Sequence, residues 1–111
     1  MKQKLGLGSF EHDVLMAVFR CGDDAYTLTI RNELDARIDK APALGAIHAT
    51  LARLEERGLV KTRTGPTSPQ RRGRPKKLFC LTGVGREALA EAHRKHMELW
   101  SGIDIDLGMA Q

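Results

Sequence analysis

A strip of basic side chains between Lys61 and Lys77 carries the clearest chemical signal in this sequence. The segment, KTRTGPTSPQRRGRPKK, contains seven lysines and arginines and no aspartate or glutamate. It contributes +7 to a chain whose net charge is +4, which leaves −3 for all other residues. Since ammonium and guanidinium groups bind phosphate oxygens, a basic site on an otherwise acidic chain indicates a polyanionic partner.

Two further groups of reactive residues are weaker candidates. His93 and His96 are spaced as metal ligands on a helix can be, but no carboxylate or thiol is visibly placed with them. Cys21 and Cys80 belong to no CxxC pair, and we interpret them as reduced packing residues rather than a disulfide. No nucleophile–base pair, phosphate loop or metal motif is evident, so the sequence predicts neither an enzyme nor a cofactor.

The composition predicts one small soluble domain. The chain has 111 residues, of which 41% are apolar and 29% charged, as is typical of a globular protein. Aromatic residues make up only 5%, which disfavours the stacking surfaces of single-strand binders. The sequence has neither an apolar run long enough to span a membrane nor the apolar segment of a signal peptide, so we expect a cytoplasmic protein.

Apolar residues recur at helical spacing in four segments. The predicted helices cover residues 9–22, 28–40, 44–57 and 83–100. Ser9, Thr27 and Thr82 are predicted to cap the first, second and last helices, and Gly58 is predicted to end the third. The apolar stripes of the first three helices predict the core: Phe10, Val14, Leu15, Val18, Ile30, Leu34, Ile38, Ile47, Leu51 and Leu54.

Two short strands flank the basic strip. Residues 59–63 and 77–81 mix apolar and polar side chains at a period of about two, which predicts a β-hairpin. The predicted fold is therefore mainly α with a small hairpin: a winged helix–turn–helix in residues 1–82, then a C-terminal dimerisation helix and short tail in residues 83–111. In this fold the third helix enters the major groove, and the hairpin wing contacts the flanking DNA backbone.

Three segments resemble the PadR-like transcriptional regulators: AYTLTIRNEL at 25–34, GAIHATLARLEERGLV at 45–60 and GRPKKLFCLTGVGREAL at 73–89. The similarity covers roughly residues 5–95, and the single C-terminal helix is similar to the family's small subgroup. It implies a cytoplasmic prokaryotic repressor that dimerises through its last helix and holds DNA with its third helix and wing. The family usually has a tyrosine at the position of His48, and the resemblance implies that its phenol contacts a phosphate. The imidazole of His48 can make that contact instead.

The predicted DNA contacts lie on the third helix and the wing. On the helix, small side chains let the backbone approach the groove floor, Ala49 can touch a thymine methyl, and Arg53 can reach a guanine or a phosphate. In the wing, the sequence RGRP resembles the minor-groove-binding AT-hook, which places Arg72 and Arg74 at the minor groove or its phosphates. The full predicted set is Gly45, Ala46, His48, Ala49, Thr50, Arg53, Lys61, Arg63, Arg71, Arg72, Arg74, Lys76 and Lys77.

The last helix is predicted to form a homodimer. Its apolar stripe is too long to be covered by one small domain, so a second copy of the chain is the simplest partner. The predicted interface consists of Leu89, Ala92, His96, Leu99, Trp100 and Ile103. In an alternative interpretation, Trp100 and His96 line a site for a flat small-molecule effector between the protomers.

These observations together predict a sequence-specific regulator of transcription that binds double-stranded DNA. The leading hypothesis is a homodimeric repressor on an inverted-repeat operator, with much of its specificity drawn from DNA shape. Two alternatives stay open. One is a regulator that senses a planar aromatic ligand or a metal, and the other is an architectural DNA- or RNA-binding protein without a discrete operator.

Overall fold

The computed structural model describes residues 6–38, 42–67 and 72–104. Within these residues the chain forms four α-helices and one antiparallel hairpin. In chain order they are α1 (Ser9–Cys21), α2 (Thr27–Ile38), α3 (Leu44–Glu56), β1 (Val60–Thr67), β2 (Pro75–Leu81) and α4 (Gly83–Trp100). A 3-10 turn, Gly22–Asp24, follows α1. The predicted mainly α fold with a small β-hairpin is confirmed.

One cluster of buried apolar side chains joins the helices to the hairpin. The predicted core residues that are buried in it are Val14, Leu15, Val18, Ile30, Leu34, Ile47, Leu51 and Leu54. Phe10 is half-buried and packs against the edge of the cluster. The prediction for Ile38 is wrong, because it is the last residue of α2 and its side chain is 48% exposed. The hairpin and α4 add Val60, Phe79, Leu81 and Ala88.

The first two helices begin differently from their predicted caps. Ser9 is the first helical residue of α1, and Gly8 occupies the capping position. The Gly8 N–H donates to Oε1 of Glu11 at 2.9 Å. The carboxylate of the third helical residue thus accepts the backbone N–H of the capping residue. Thr27 is likewise already helical. Both capping predictions are therefore wrong by one position.

The predicted cap of α4 is confirmed and forms part of a contact between four elements. The hydroxyl of Thr82 accepts the Gly85 N–H at 3.0 Å and donates to the Gly58 carbonyl at 2.6 Å. The Thr82 N–H donates to the Leu59 carbonyl at 3.1 Å. Gly58 has a φ of 76°, a left-handed conformation that favours glycine and ends α3 as predicted. We call Gly58, Leu59, Thr82 and Gly85 the junction, since α3, β1, β2 and α4 all meet there.

The hairpin strands are longer than the predicted strands. The pairing runs from Val60 opposite Leu81 to Thr64 opposite Lys77, and it resumes after an irregularity with Thr67 opposite Pro75. Between Thr64 and Thr67 the register shifts, because β1 has one more residue than β2 there. Period-two patterning could not reveal this extension, because Gly65, Pro66 and Pro75 interrupt the alternation of apolar and polar side chains.

Polar contacts hold the helix–turn–helix together around its core. Glu33 on α2 accepts hydrogen bonds from Arg20 on α1 at 2.8 Å and from Arg37 on its own helix at 2.6 Å. These guanidinium groups, Arg37 first and then Arg20, lower the pKa of Glu33. Arg31 on α2 donates to the carbonyl of Pro42, two residues before α3, at 3.1 Å. The start of α3 is thereby tied to α2.

The junction predicts that Gly85 and Gly83 of α4 differ sharply in how well they tolerate replacement by alanine. A Cβ at Gly85 would overlap the carbonyl oxygen of Leu59, whereas a Cβ at Gly83, in the same helical turn, would meet open space. We expect Gly85→Ala to lower the free energy of unfolding by about 1–3 kcal/mol or more, because backbone cannot yield as a flexible side chain does. Gly83→Ala is the control. Chemical denaturation measures both variants, and equal stabilities would contradict the close contact.

Candidate nucleic-acid interface

The outer face of α3 is lined by small, exposed residues. Gly45, Ala46, His48 and Ala49 are all exposed, as the sequence predicts for a helix that approaches another surface closely. The prediction that Thr50 borders this surface is wrong. Thr50 is only 1% exposed, because it lies three residues after the buried Ile47 and therefore on the core side of the helix.

Arg53 leans towards α1 rather than straight outwards. Its Nη2 donates to the Thr50 hydroxyl at 3.1 Å, and its Nε lies 3.8 Å from Oε2 of Glu11. Glu11 also accepts a hydrogen bond from Nη1 of Arg57 at 3.1 Å. The Arg53 side chain is 55% exposed, so it can reach a ligand only by leaving its acidic neighbour. That Arg53 reads bases stays a prediction.

A groove of about 590 Å³ connects α3 to the hairpin. Its lining comes from the start of α2, one side of α3 and strand β2, and comprises Tyr26, Thr27, Leu28, Leu44, His48, Leu51, Ala52, Glu55, Lys76, Lys77 and Phe79. Leu51 and Phe79 are buried and belong to the core, so the groove has a rigid apolar base. Its polar groups are contributed by all three elements. Of the predicted DNA-binding residues, His48, Lys76 and Lys77 line the groove, so it joins one edge of the exposed helix face to the base of the basic hairpin.

The two adjacent wing lysines have different surroundings. Nζ of Lys76 lies 4.4 Å from the centre of the Tyr26 ring and 3.9 Å from Oδ1 of Asp24, and its side chain is only 21% exposed. Nζ of Lys77 lies 3.7 Å from Oε1 of Glu55, and its side chain is 63% exposed. Neighbouring residues of a strand point to opposite faces, so Lys76 contacts the region before α2 while Lys77 contacts α3.

The remaining basic residues of the wing lie along β1 and at the hairpin tip. Arg63 is exposed, and its Nη2 donates to the Asp23 carbonyl at 3.3 Å. Lys61, Arg72 and Arg74 are exposed, whereas Arg71 lies outside the described residues. Arg72 has a φ of 55° and the next residue, Gly73, a φ of 79°. Consecutive left-handed residues match the tight turns that suit twisted hairpins, so the tip holds Arg72 in a conformation that side chains seldom adopt.

The face of α4 predicted to form a dimer changes from covered to exposed along its length. Leu89 is half-buried against the core and Ala92 is half-buried. His96 is exposed, and Leu99 and Ile103 are 78% and 56% exposed. Trp100 is half-buried, and its indole N–H donates to Nε2 of His96 at 3.0 Å. The first half of α4 thus packs against the core, although the sequence predicts a domain boundary between residues 82 and 83. Apolar side chains in its second half are exposed to solvent.

The comparison with protein families agrees with this architecture. A model of the transcriptional regulator PadR-like family matches residues 14–91. The chain belongs to the PadR-like family of transcriptional regulators. The matched segment includes most of α1, the helix–turn–helix, the complete hairpin and the first half of α4. No protein in the curated set matches the chain.

Several solved structures share the fold. A PadR-like transcription factor from Bacteroides fragilis superposes with a TM-score of 0.70 at 23% identity, over 81% of this chain and 82% of that one. RosR from H. salinarum has a TM-score of 0.69 at 20% identity, over 90% and 82% of the two chains. PadR from Bacillus subtilis, solved in complex with operator DNA, has a TM-score of 0.66 at 18% identity, over 79% and 48%.

The described part of this PadR-like chain was also compared with what a metal site, a membrane-spanning helix and a reactive thiol require. Residues 6–38, 42–67 and 72–104 contain no group of three potential ligands placed to hold a metal ion. Over the same residues, no helix has the length and apolar character needed to cross a bilayer. Cys21 and Cys80 are free and half-buried, and burial raises the pKa of the Cys21 thiol, which keeps it protonated and less nucleophilic at neutral pH.

Sequence reasoning missed the acidic partners of the basic residues. Glu11, Asp24 and Glu55 each lie within 4 Å of a predicted DNA-binding side chain. The basic strip itself contains no carboxylate, and these three residues come from α1, the turn before α2, and α3. No sequence spacing links them to the strip, so only the folded arrangement of the PadR-like domain brings them together.

Proposed function

We propose that this PadR-like protein is a cytoplasmic repressor of transcription that binds double-stranded DNA at a specific operator as a homodimer. The observation that carries the proposal is that the exposed face of α3 and the basic hairpin lie side by side and meet at the groove lined by His48, Lys76 and Lys77. A protruding helix with small side chains suits the major groove, and a basic hairpin beside it suits the adjacent phosphates. Bacillus subtilis PadR, which has a similar fold, was solved in complex with operator DNA, and this supports DNA as the partner.

Sequence recognition through α3 combines limited base contact with DNA shape. Gly45 and Ala46 permit close backbone approach, Ala49 suits a thymine methyl group, and His48 borders the groove where a phosphate or base edge can lie. Since few of these side chains carry hydrogen-bonding groups, sequence-dependent groove width and bending supply much of the specificity.

The homodimer is supported by the uncovered stripe at the end of α4. Ala88 is buried in the core, and Ala92 and Leu99 continue along the same side of the helix beyond it; Ile103, 56% exposed, follows the end of the helix. An exposed Leu99 is costly in water unless a partner covers it. The same stripe of a second copy is the simplest partner, and a two-fold axis then places two α3 helices on one side of the dimer for an inverted repeat.

Selection from a random duplex pool tests the function directly. We expect the wild-type protein to enrich an inverted repeat whose half-sites are centred about 34–36 Å apart, or a multiple of that distance, because two α3 helices must enter successive major grooves. Footprinting should then protect the enriched site. Tight, salt-dependent binding without an enriched motif would instead support an architectural role.

Replacing both tip arginines tests the role of the wing. Arg72→Ala with Arg74→Ala should weaken binding to enriched and random duplexes alike and flatten the salt dependence by about 0.9 for each lost phosphate contact. The matched control is Arg86→Ala with Arg94→Ala, which removes two charges from exposed positions of α4 away from the apolar stripe. Anisotropy titrations over a range of salt concentrations measure the slopes. If the two double variants showed the same salt dependence of binding, the wing would not contact the DNA.

A charge in the apolar stripe tests the dimer. Leu99→Glu should shift sedimentation from dimer to monomer at micromolar concentration and reduce operator affinity more than the wing variants do, because the phosphate contacts of the second protomer are lost. Ala90→Glu adds the same charge at an exposed position of α4 away from the stripe and should stay dimeric. A dimeric Leu99→Glu protein would place the interface elsewhere.

A further inference from the structure

A carboxylate lies inside the groove where DNA is proposed to bind. Glu55 lines the groove together with His48 and Lys77, and its side chain is 41% exposed. A negative charge at this position repels phosphate, so by itself it weakens DNA binding. Its contacts indicate what it does instead.

Glu55 connects α3 to both strands of the hairpin. Its Oε1 lies 3.7 Å from Nζ of Lys77 on β2, and its Oε2 accepts a hydrogen bond from the Thr62 hydroxyl on β1 at 3.4 Å. Thr62 pairs directly with Phe79, two residues from Lys77, so both contacts lie on the same face of the hairpin. The Glu55 carboxylate on α3 thus contacts both strands of the hairpin.

The pair alters the charge that the wing presents to DNA. The ammonium of Lys77 is the most accessible cation in the groove, since the Lys76 side chain is 21% exposed and that of Lys77 is 63% exposed. With Glu55 in contact, Lys77 is already partly neutralised. A DNA phosphate can bind Lys77 only by displacing the carboxylate of Glu55. While Lys77 stays paired with Glu55, it neutralises no phosphate, so fewer counterions are released from the DNA on binding.

We propose that Glu55 is a positioning residue that competes with DNA phosphate for Lys77 and so limits the electrostatic affinity of the protein for duplexes of any sequence. The proposal rests on the proposed DNA-binding function. It follows that Lys77 stays docked to α3 until a phosphate lies close enough to replace Glu55.

A pair of adjacent variants isolates this contact. Glu55→Gln and Glu56→Gln remove the same charge from neighbouring exposed positions of α3. With a random-sequence duplex as the probe, Glu55→Gln should bind about threefold more tightly than Glu56→Gln near 50 mM salt and show a slope steeper by about 0.9, as expected for one additional phosphate contact. If the two variants have equal affinity and slope, or if Glu55→Gln binds more weakly, the proposal is overturned.

Two further variants separate competition from a merely structural role. In a Lys77→Ala background, Glu55→Gln should have no larger effect than Glu56→Gln, because the competition acts through Lys77. Thr62→Val removes the hydrogen bond to Glu55 but keeps its charge next to Lys77, and it should leave the salt slope unchanged. A steeper slope for Thr62→Val would assign the effect to hairpin docking and overturn the proposal.

The same titrations distinguish this inference from the function on which it rests. A wild-type protein that binds no duplex at low salt would overturn both proposals. Wild-type binding with equal responses to the two glutamine variants would overturn the role of Glu55 alone and leave the DNA-binding function in place.

Discussion

The arrangement of this protein depends on one backbone contact, the junction between Gly58–Leu59 and Thr82–Gly85. The end of α3, the start of β1, the end of β2 and the start of α4 are all held there by two hydrogen bonds from Thr82 and by the close approach of Gly85 to the Leu59 carbonyl. Because α3 and the hairpin leave the junction in fixed directions, the groove between them has a defined shape. The direction of α4, and therefore of its uncovered apolar stripe, is set at the same place.

Electrostatics on the groove side are more balanced than the basic strip suggests. Arg53, Lys76 and Lys77 each lie near a carboxylate from another element, whereas the tip residues Arg72 and Arg74 are exposed. The positive charge beside α3 is thus partly neutralised by Glu11, Asp24 and Glu55. This neutralisation suits the proposed DNA-binding function, because it weakens the attraction to phosphates of any sequence.

The order of elements, the core and the basic hairpin could be read from the sequence because each has a local cause. Helical stripes such as Ile47, Leu51 and Leu54 indicate which side of a helix is buried, and they are buried in the structure. The predictions failed where neighbouring positions satisfy the same local rule. The cap of α1 is Gly8 rather than Ser9, and the Thr50 side chain lies on the core side of α3 although the preceding residue, Ala49, is exposed.

The sequence by itself determined that this chain forms a small helical domain with a basic hairpin, because periodicity and charge are properties of neighbouring residues. It also contained the family motifs that the family model matches over residues 14–91. Only the tertiary structure decided which basic residues are paired, that the helix face and the wing share one groove, and where the stripe of α4 loses its cover. Those features join residues far apart in the chain, such as Glu55 with Lys77 and Leu59 with Gly85, whose proximity results from packing and cannot be read from any local pattern.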